Sequence, residues 1–444
     1  MIELSPQLTA AILMGVFILG VFAGYPLALV AGGTGIVIGF LLFGPPVGQI
    51  VYLQIYTILS DYILLAMPLF IYMGLIVQQS GIADKMYQAL YVWLGGFRGG
   101  LGIATIILGT IVACTVGLVA AATTMITVIS IRSMLSRGYD KSLATGCCCA
   151  GGSLGILIPP STLLIVYGPM ARLSVGKLYF GAFMPGFLLA ALYCAYVAIR
   201  CFLEPRLGPP VPLADRNVPF LKKILMLMTS VVPIGIIILG VLGVIFFGIA
   251  APTEAAATGA FTATLLAAAY RRLNWKVLMN AARETVKGSG LIFLIAGCSV
   301  AFNAVFVRSG SGEVVRALIL GMPFGKWGAF LLIMFLCFIL GFFIIDLGII
   351  FLLVPIITPI FKTLGFDPIW AAIMINVNIQ MSYMTPPLAV AIFFVKGTAP
   401  PELGIKMTDI IKGVWPFVIL IMVALALCAA FPQIILWLPN QMIQ

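Results

Sequence analysis

Histidine is absent from the 444 residues. That removes His-ligated zinc, Ser-His and Cys-His nucleophile pairs, and any histidine proton relay. Charge is scarce: 8% of residues are Asp, Glu, Lys or Arg, against about 25% in soluble domains. With 63% of residues hydrophobic, polar groups cannot cover a water-facing surface, and the chain reads as an all-α polytopic membrane protein. No Walker motif or soluble nucleotide-binding domain is present, so the chain does not itself hydrolyse ATP. The net charge of +11 comes from 24 basic and 13 acidic residues, thinly spread. Such an excess suits orientation in a lipid bilayer rather than nucleic-acid binding. The nine cysteines sit mostly in apolar runs. Cys147-Cys148-Cys149 reads as small buried residues, not as a disulfide or metal site. Met1 to Gln7 lacks a basic n-region, so no cleavable signal peptide is expected.

What is present is a series of apolar runs of spanning length, about 20 residues each. Spans are expected near 8–24, 26–44, 61–79, 142–168, 179–200, 224–247, 254–270, 289–307, 369–395 and 413–431. Segment 45–60 has the length of a short interfacial helix. The stretches 100–134 and 327–362 are too long for one crossing. Gly117 interrupts the first, and Asp346-Leu347-Gly348 the second. Each reads as a re-entrant helical hairpin that enters and leaves on one side. With Met1 outside, 18 of the 24 basic residues fall inside and six outside. The bias places both termini outside and brings the hairpins in from opposite faces.

The halves match. Pro159-Pro160 and Pro386-Pro387 are 227 residues apart, and the same offset carries the span at 62 to 289 and the hairpin at 100 to 327. Five spans separate equivalent points, so the second copy is inverted. Two inverted repeats, each with a hairpin and a broken helix, are the architecture of secondary transporters. The repeats divide the chain into scaffold helices 1–99, a first transport core 100–168, scaffold and connecting arms 169–326, a second core 327–395, and a terminal scaffold segment 396–444.

The first broken helix contains Gly151 to Ser161, ending Ile158-Pro159-Pro160-Ser161. Prolines remove backbone donors and cannot continue a helix. The freed carbonyls must line a cavity or meet an ion. Met381 to Pro387 repeats the logic with Thr385 as its hydroxyl. Half-helix N-termini after each proline pair would face an anionic solute, and unwound carbonyls a cation such as sodium. A carboxylate held between the breaks would meet Ser153, Pro160, Ser161, Thr385 and Pro386, with Ser161 and Thr385 as direct donors. Asp346 is the one acidic residue deep in an apolar segment. It can hold a cation, carry a proton or cap the following helix. The first hairpin apex, Cys114 to Gly117, carries no charge. An ion there relies on carbonyls and Thr115, with Thr123 or Thr124 nearby. Ala251-Pro252-Thr253-Glu254 reads as a helix start.

At these motifs the sequence resembles the large membrane subunit (DctM-type) of tripartite ATP-independent periplasmic (TRAP) transporters. The resembling stretches are Met67 to Phe70, Gly151 to Ser161 with Tyr167-Gly168, Pro185-Gly186, Pro252 to Ala256, Gly341 to Asp346 and Thr385 to Pro387. Gly365 to Pro368 and Lys396-Gly397 resemble the mannitol/chloroaromatic subgroup. The resemblance implies an elevator-type fold of the ion transporter superfamily in a bacterial inner membrane. It implies sodium-coupled uptake of a small organic acid. The implied partners are a small membrane subunit (DctQ-type) and a periplasmic solute-binding protein (DctP-type). It further implies one sodium at Thr115, Gly117, Gly152, Gly155 and Pro159, and a second at Gly341, Asp346, Met381 and Thr385. No organic cofactor or enzymatic activity is implied. The apex Val116-Gly117-Leu118 lacks the hydroxyls that many members carry there. A stand-alone sodium- or proton-coupled carboxylate carrier, needing no binding protein, is the alternative.

Overall fold

The computed structural model describes residues 4–387 and 389–442, and no strand occurs among them. The two chain ends, to which the sequence reading assigns a common side, thus lie outside the described residues. The first half runs α1 (Pro6–Phe22), α2 (Leu27–Phe43), α3 (Pro46–Leu59), a 3-10 turn Tyr62–Leu65 and α4 (Ala66–Gln79). It continues with α5 (Ile82–Leu94), α6 (Gly100–Val116), α7 (Val119–Ser136), α8 (Lys141–Ser153), α9 (Thr162–Ala171) and α10 (Val175–Leu203). A short connecting helix, α11 (Leu213–Arg216), follows. The second half runs α12 (Phe220–Ile238), a π turn Leu239–Gly243, α13 (Val244–Phe246), α14 (Pro252–Ala269), α15 (Trp275–Arg308) and α16 (Ser311–Leu320). Then come α17 (Gly325–Leu340), α18 (Asp346–Thr363), α19 (Pro368–Ser382), α20 (Val390–Thr398), α21 (Met407–Ala430) and α22 (Gln433–Leu436).

The 227-residue offset extends over nearly all of this. It carries α7 onto α18 end for end, both 18 residues long, and the last residue of α10 onto that of α21. It also carries α2 onto α14, α5 onto α16 and α8 onto α19 within a few residues. Packing is reciprocal. α7 lies on α20 and α18 on α9; α2 lies on α15 and α14 on α4; α5 lies on α6 and α16 on α17. The chain is therefore two inverted repeats, each with a hairpin and a broken helix.

Local chemistry repeats as well. Asp140 accepts from the Leu143 N–H (3.0 Å) to start α8. Its equivalent Asp367 accepts from the N–H groups of Ile369 (2.8 Å) and Trp370 (3.0 Å) to start α19. Such caps satisfy N-terminal donors that a helix leaves free. The Pro252 start is also as read: the Ala251 N–H donates to Glu254 (3.0 Å). Cys147, Cys148 and Cys149 are free and fully buried in α8.

Seven helices among the described residues are long and apolar enough to cross a membrane singly. Several other crossings are 17-residue helices or pairs joined at a break, which explains the smaller number. Two helices of ten or more residues were not expected. α5 buries Ile82, Met86 and Leu90, one residue per turn. Its 13 residues fall short of a span, so hydropathy alone misses it. α16 is its counterpart. A third difference is mechanical. α3 and α4 are separated at Ser60-Asp61, whereas their counterpart is the single 34-residue α15. α15 is about 51 Å long at 1.5 Å per residue, so it outruns a hydrocarbon core of about 30 Å.

Candidate functional site: two broken helices and two hairpin apices

The first hairpin turns at Gly117-Leu118, as the sequence suggests. Gly117 is left-handed (φ 63°), and a Cβ there would lie 2.9 Å from the Pro160 carbonyl oxygen. The apex thus rests on the first break. Thr162 Oγ1 donates to the Gly117 carbonyl at 2.9 Å and ties the two together. Gly155 approaches the Leu118 backbone, and Gly152 abuts Thr123 so closely that a Cβ would lie 2.7 Å from the Thr123 Cα. Gly117, Gly152, Gly155 and Pro160 therefore converge on one hairpin face. Pro159 is buried beside them. Thr115 turns away: its hydroxyl donates to Val112 of its own helix at 3.0 Å. Thr123 Oγ1, in contrast, is fully buried without a partner.

The second hairpin needs a correction. Its break is Gly341 to Ile345, not Asp346-Leu347-Gly348, and Asp346 is the first residue of α18. A carboxylate complements the positive end of a helix, so Asp favours that position over the apex. Gly348 sits inside α18, where Leu27 covers it. Asp346 is 8% exposed and opens onto a small cleft of about 10 Å³ with Gly341, Ser382, Tyr383 and Val390. Tyr383 lines the cleft together with the carboxylate. Ser382 Oγ is buried and unpartnered, against the Gly341 backbone. Met381 and Thr385 do not line this cleft.

The hydroxyls singled out as donors are already spent. Ser161 Oγ donates to the Ile156 carbonyl (2.6 Å) and Thr385 Oγ1 to the Met381 carbonyl (2.8 Å). Ser153 Oγ donates to Ala150 (2.9 Å). Each is tied to backbone at or beside a break and, so placed, retains only acceptor capacity. In this conformation the half-helix N–H groups of α9 and α20 are the other donors that follow the two proline pairs. Pro386 is half-buried and Pro387 exposed, whereas Gly151 to Gly168 are buried throughout. Ser382, Tyr383 and Gln380 escaped the sequence reading. The repeat offset applied to Gly155 gives Ser382, and applied to Ser153 gives Gln380.

The family model for the DctM component of the tripartite ATP-independent periplasmic transporter matches residues 10–434. The chain belongs to the TRAP large-permease family. A C4-dicarboxylate TRAP large permease of Pseudomonas aeruginosa is 29% identical over 90% of this chain and 91% of its own. An isethionate TRAP permease protein of Oleidesulfovibrio alaskensis is 27% identical over 95% of this chain and 65% of its own. The YdaH transporter of Alcanivorax borkumensis superposes with a TM-score of 0.63 at 17% identity, covering 95% of this chain and 99% of that one. That likeness concerns the fold. The TRAP large permease is a multi-pass membrane transport protein, not an enzyme.

Thr385→Val tests the second break. It keeps the shape and removes one of the two donors to the Met381 carbonyl, the Met384 N–H remaining. It should weaken apparent solute affinity by about two- to ten-fold, a neutral hydrogen bond being worth about 0.5–1.5 kcal/mol. Initial uptake rates against solute concentration measure it. Unchanged affinity in Thr385→Val combined with Ser161→Ala shows that neither hydroxyl contributes to the solute site.

Proposed function

We propose that this TRAP permease takes up a small organic acid by sodium-coupled alternating access of the elevator type. The observation that carries the reading is the Asp346 cleft. It is a buried carboxylate at a hairpin break, beside a second broken helix, with hydroxyls of Ser382 and Tyr383 around it. A carboxylate, hydroxyls and unwound carbonyls are hard oxygen donors suited to sodium. The first break supplies a carbonyl-rich counterpart. Two bound cations lower the cost of carrying an anion to the midplane, and more than one sodium per monoanion makes uptake electrogenic. The membrane potential then contributes about 2.3 kcal/mol per charge per 100 mV.

The relatives named for C4-dicarboxylate and isethionate point to an acid substrate class. The Gly365–Pro368 and Lys396-Gly397 resemblance to the mannitol/chloroaromatic subgroup does not choose one acid. A periplasmic solute-binding protein delivers the substrate, and a small membrane subunit holds the scaffold of 1–99, 169–326 and 396–444. The cores at 100–168 and 327–395 move. Both termini are periplasmic, in a bacterial inner membrane. Labelling of Arg137→Cys and Lys326→Cys should report opposite sides, and subunit cross-links should avoid the two cores. Same-side labelling or core-dominated cross-links reverse the assignment.

Reconstitution in liposomes tests the function. Uptake should require a sodium gradient, the small subunit and the binding protein. Full uptake by the permease alone supports the stand-alone carrier instead. Full uptake on a proton gradient without sodium overturns sodium coupling.

A further inference from the structure

We propose that Gln380 and Ser153 form a positioning link on the pseudo-twofold axis, coupling cation binding in one repeat to cation binding in the other. Gln380 Nε2 lies 3.2 Å from Ser153 Oγ, and the two residues are 227 apart. That is the repeat offset, so they are each other's equivalents. Equivalent residues of two related halves touch only where the symmetry axis passes. The last turns of α8 and α19 therefore meet on that axis.

The chemistry fixes the bond's direction. Ser153 Oγ gives its hydrogen to the Ala150 carbonyl at 2.9 Å. It therefore accepts from Gln380, whose amide must present nitrogen rather than oxygen. Both residues are fully buried, and Gln380 Oε1 has no partner. Among the described residues, no other side chain–side chain hydrogen bond joins α8 to α19. At one end, the neighbouring Gly152 packs on Thr123 of the first hairpin. At the other, Ile379, Ser382 and Tyr383 line the Asp346 cleft. The bond thus connects one candidate cation region to the other through a single residue step on each side.

The symmetric placement gives the bond its role. A cation that orders one break must fix the last turn of its broken helix. Through the axial bond, that turn holds the matching turn of the other repeat. The second cation then meets a break already ordered and binds with less entropy lost. By linkage the effect is the same in either order of binding. Ser153, read from the sequence as one of the substrate contacts, takes on this internal link.

The inference rests on the sodium-coupled reading above. Its test is equilibrium binding of ²²Na⁺ to the purified complex of permease and small subunit, without organic acid. The wild type should show a Hill coefficient approaching about 2, the number of coupled sites. Gln380→Leu and Ser153→Ala should each bring it to about 1, at an unchanged number of ions bound. The double variant should be no worse than either single one, because both break the same bond. Ser153→Thr keeps a hydroxyl and should restore cooperativity. Ser153→Ala removes a single oxygen and carries the test if Gln380→Leu does not fold. Wild-type cooperativity retained in the single variants, or additive losses in the double, overturns the link alone. A wild type that binds no sodium overturns the sodium reading and the link with it.

Discussion

Asp346→Asn should raise the sodium concentration for half-maximal uptake by about ten- to a hundred-fold, since a hydrogen bond to a charged group is worth roughly 1.5–3 kcal/mol. The substitution preserves size and the position at the start of α18, and removes only charge. Asp346 is buried, and no Lys or Arg lines its cleft. A cation is the natural counter-charge. Ser382 and Tyr383 remain in the variant, so the cleft keeps neutral oxygens and loses its strongest ligand. Stability without sodium should change little, because an unpaired buried carboxylate is itself costly. Uptake rates against sodium concentration, with a thermal melt at zero sodium, separate the two readouts. An Asn variant with wild-type sodium dependence makes Asp346 a helix cap and nothing more.

Gly117→Ala should abolish most transport through the other hairpin. Two penalties add at this position. The φ of 63° belongs to the left-handed region, where an L side chain costs about 1–2 kcal/mol. The new Cβ would also lie 2.9 Å from the Pro160 carbonyl oxygen, which belongs to backbone and cannot swing aside. Overpacking of this kind costs typically about 1–3 kcal/mol. The apex must lift from the break, which also loosens the Thr162 hydrogen bond to the Gly117 carbonyl. Gly365→Ala is the matched control. Its φ is 75°, and nothing lies within 4 Å of its Cβ position. That variant should lose about 1 kcal/mol of stability and keep its sodium affinity. If both variants behave alike, backbone strain is the whole effect and the apex contact has no functional part.

The repeat was legible because proline pairs, glycines and apolar run lengths are backbone instructions. The offset read from Pro159 and Pro386 carries α7 onto α18 without a residue of slip. Less legible was anything decided by tertiary packing. α5 and α16 are too short for a hydropathy window and exist because each finds a hairpin helix to cover. The second break lies ahead of Asp346 because helix-end electrostatics outweighs the helix-breaking tendency of Gly348. The carbonyl partners of Ser161 and Thr385 were not legible, since residue type does not say that a backbone carbonyl about one turn back accepts the hydroxyl's hydrogen. Ser382 and Gln380 were within reach had the offset been applied to side chains as well as to elements.

Duplicated halves with identical wiring would give two end states of equal energy, each the mirror of the other. Such a machine has no resting posture. Here the helices leading to the first hairpin are interrupted at Ser60-Asp61, a natural place for a hinge, while their counterpart is the unbroken rod Trp275–Arg308. A hinge swings freely, and a rod stores elastic work when bent. In the proposed elevator the strokes in the two directions would meet unequal resistance, and a difference of about 1.4 kcal/mol already makes one posture ten times more populated. If the proposed elevator operates, the idle protein parks on one side of the membrane, and the continuity of one helix backbone helps decide which.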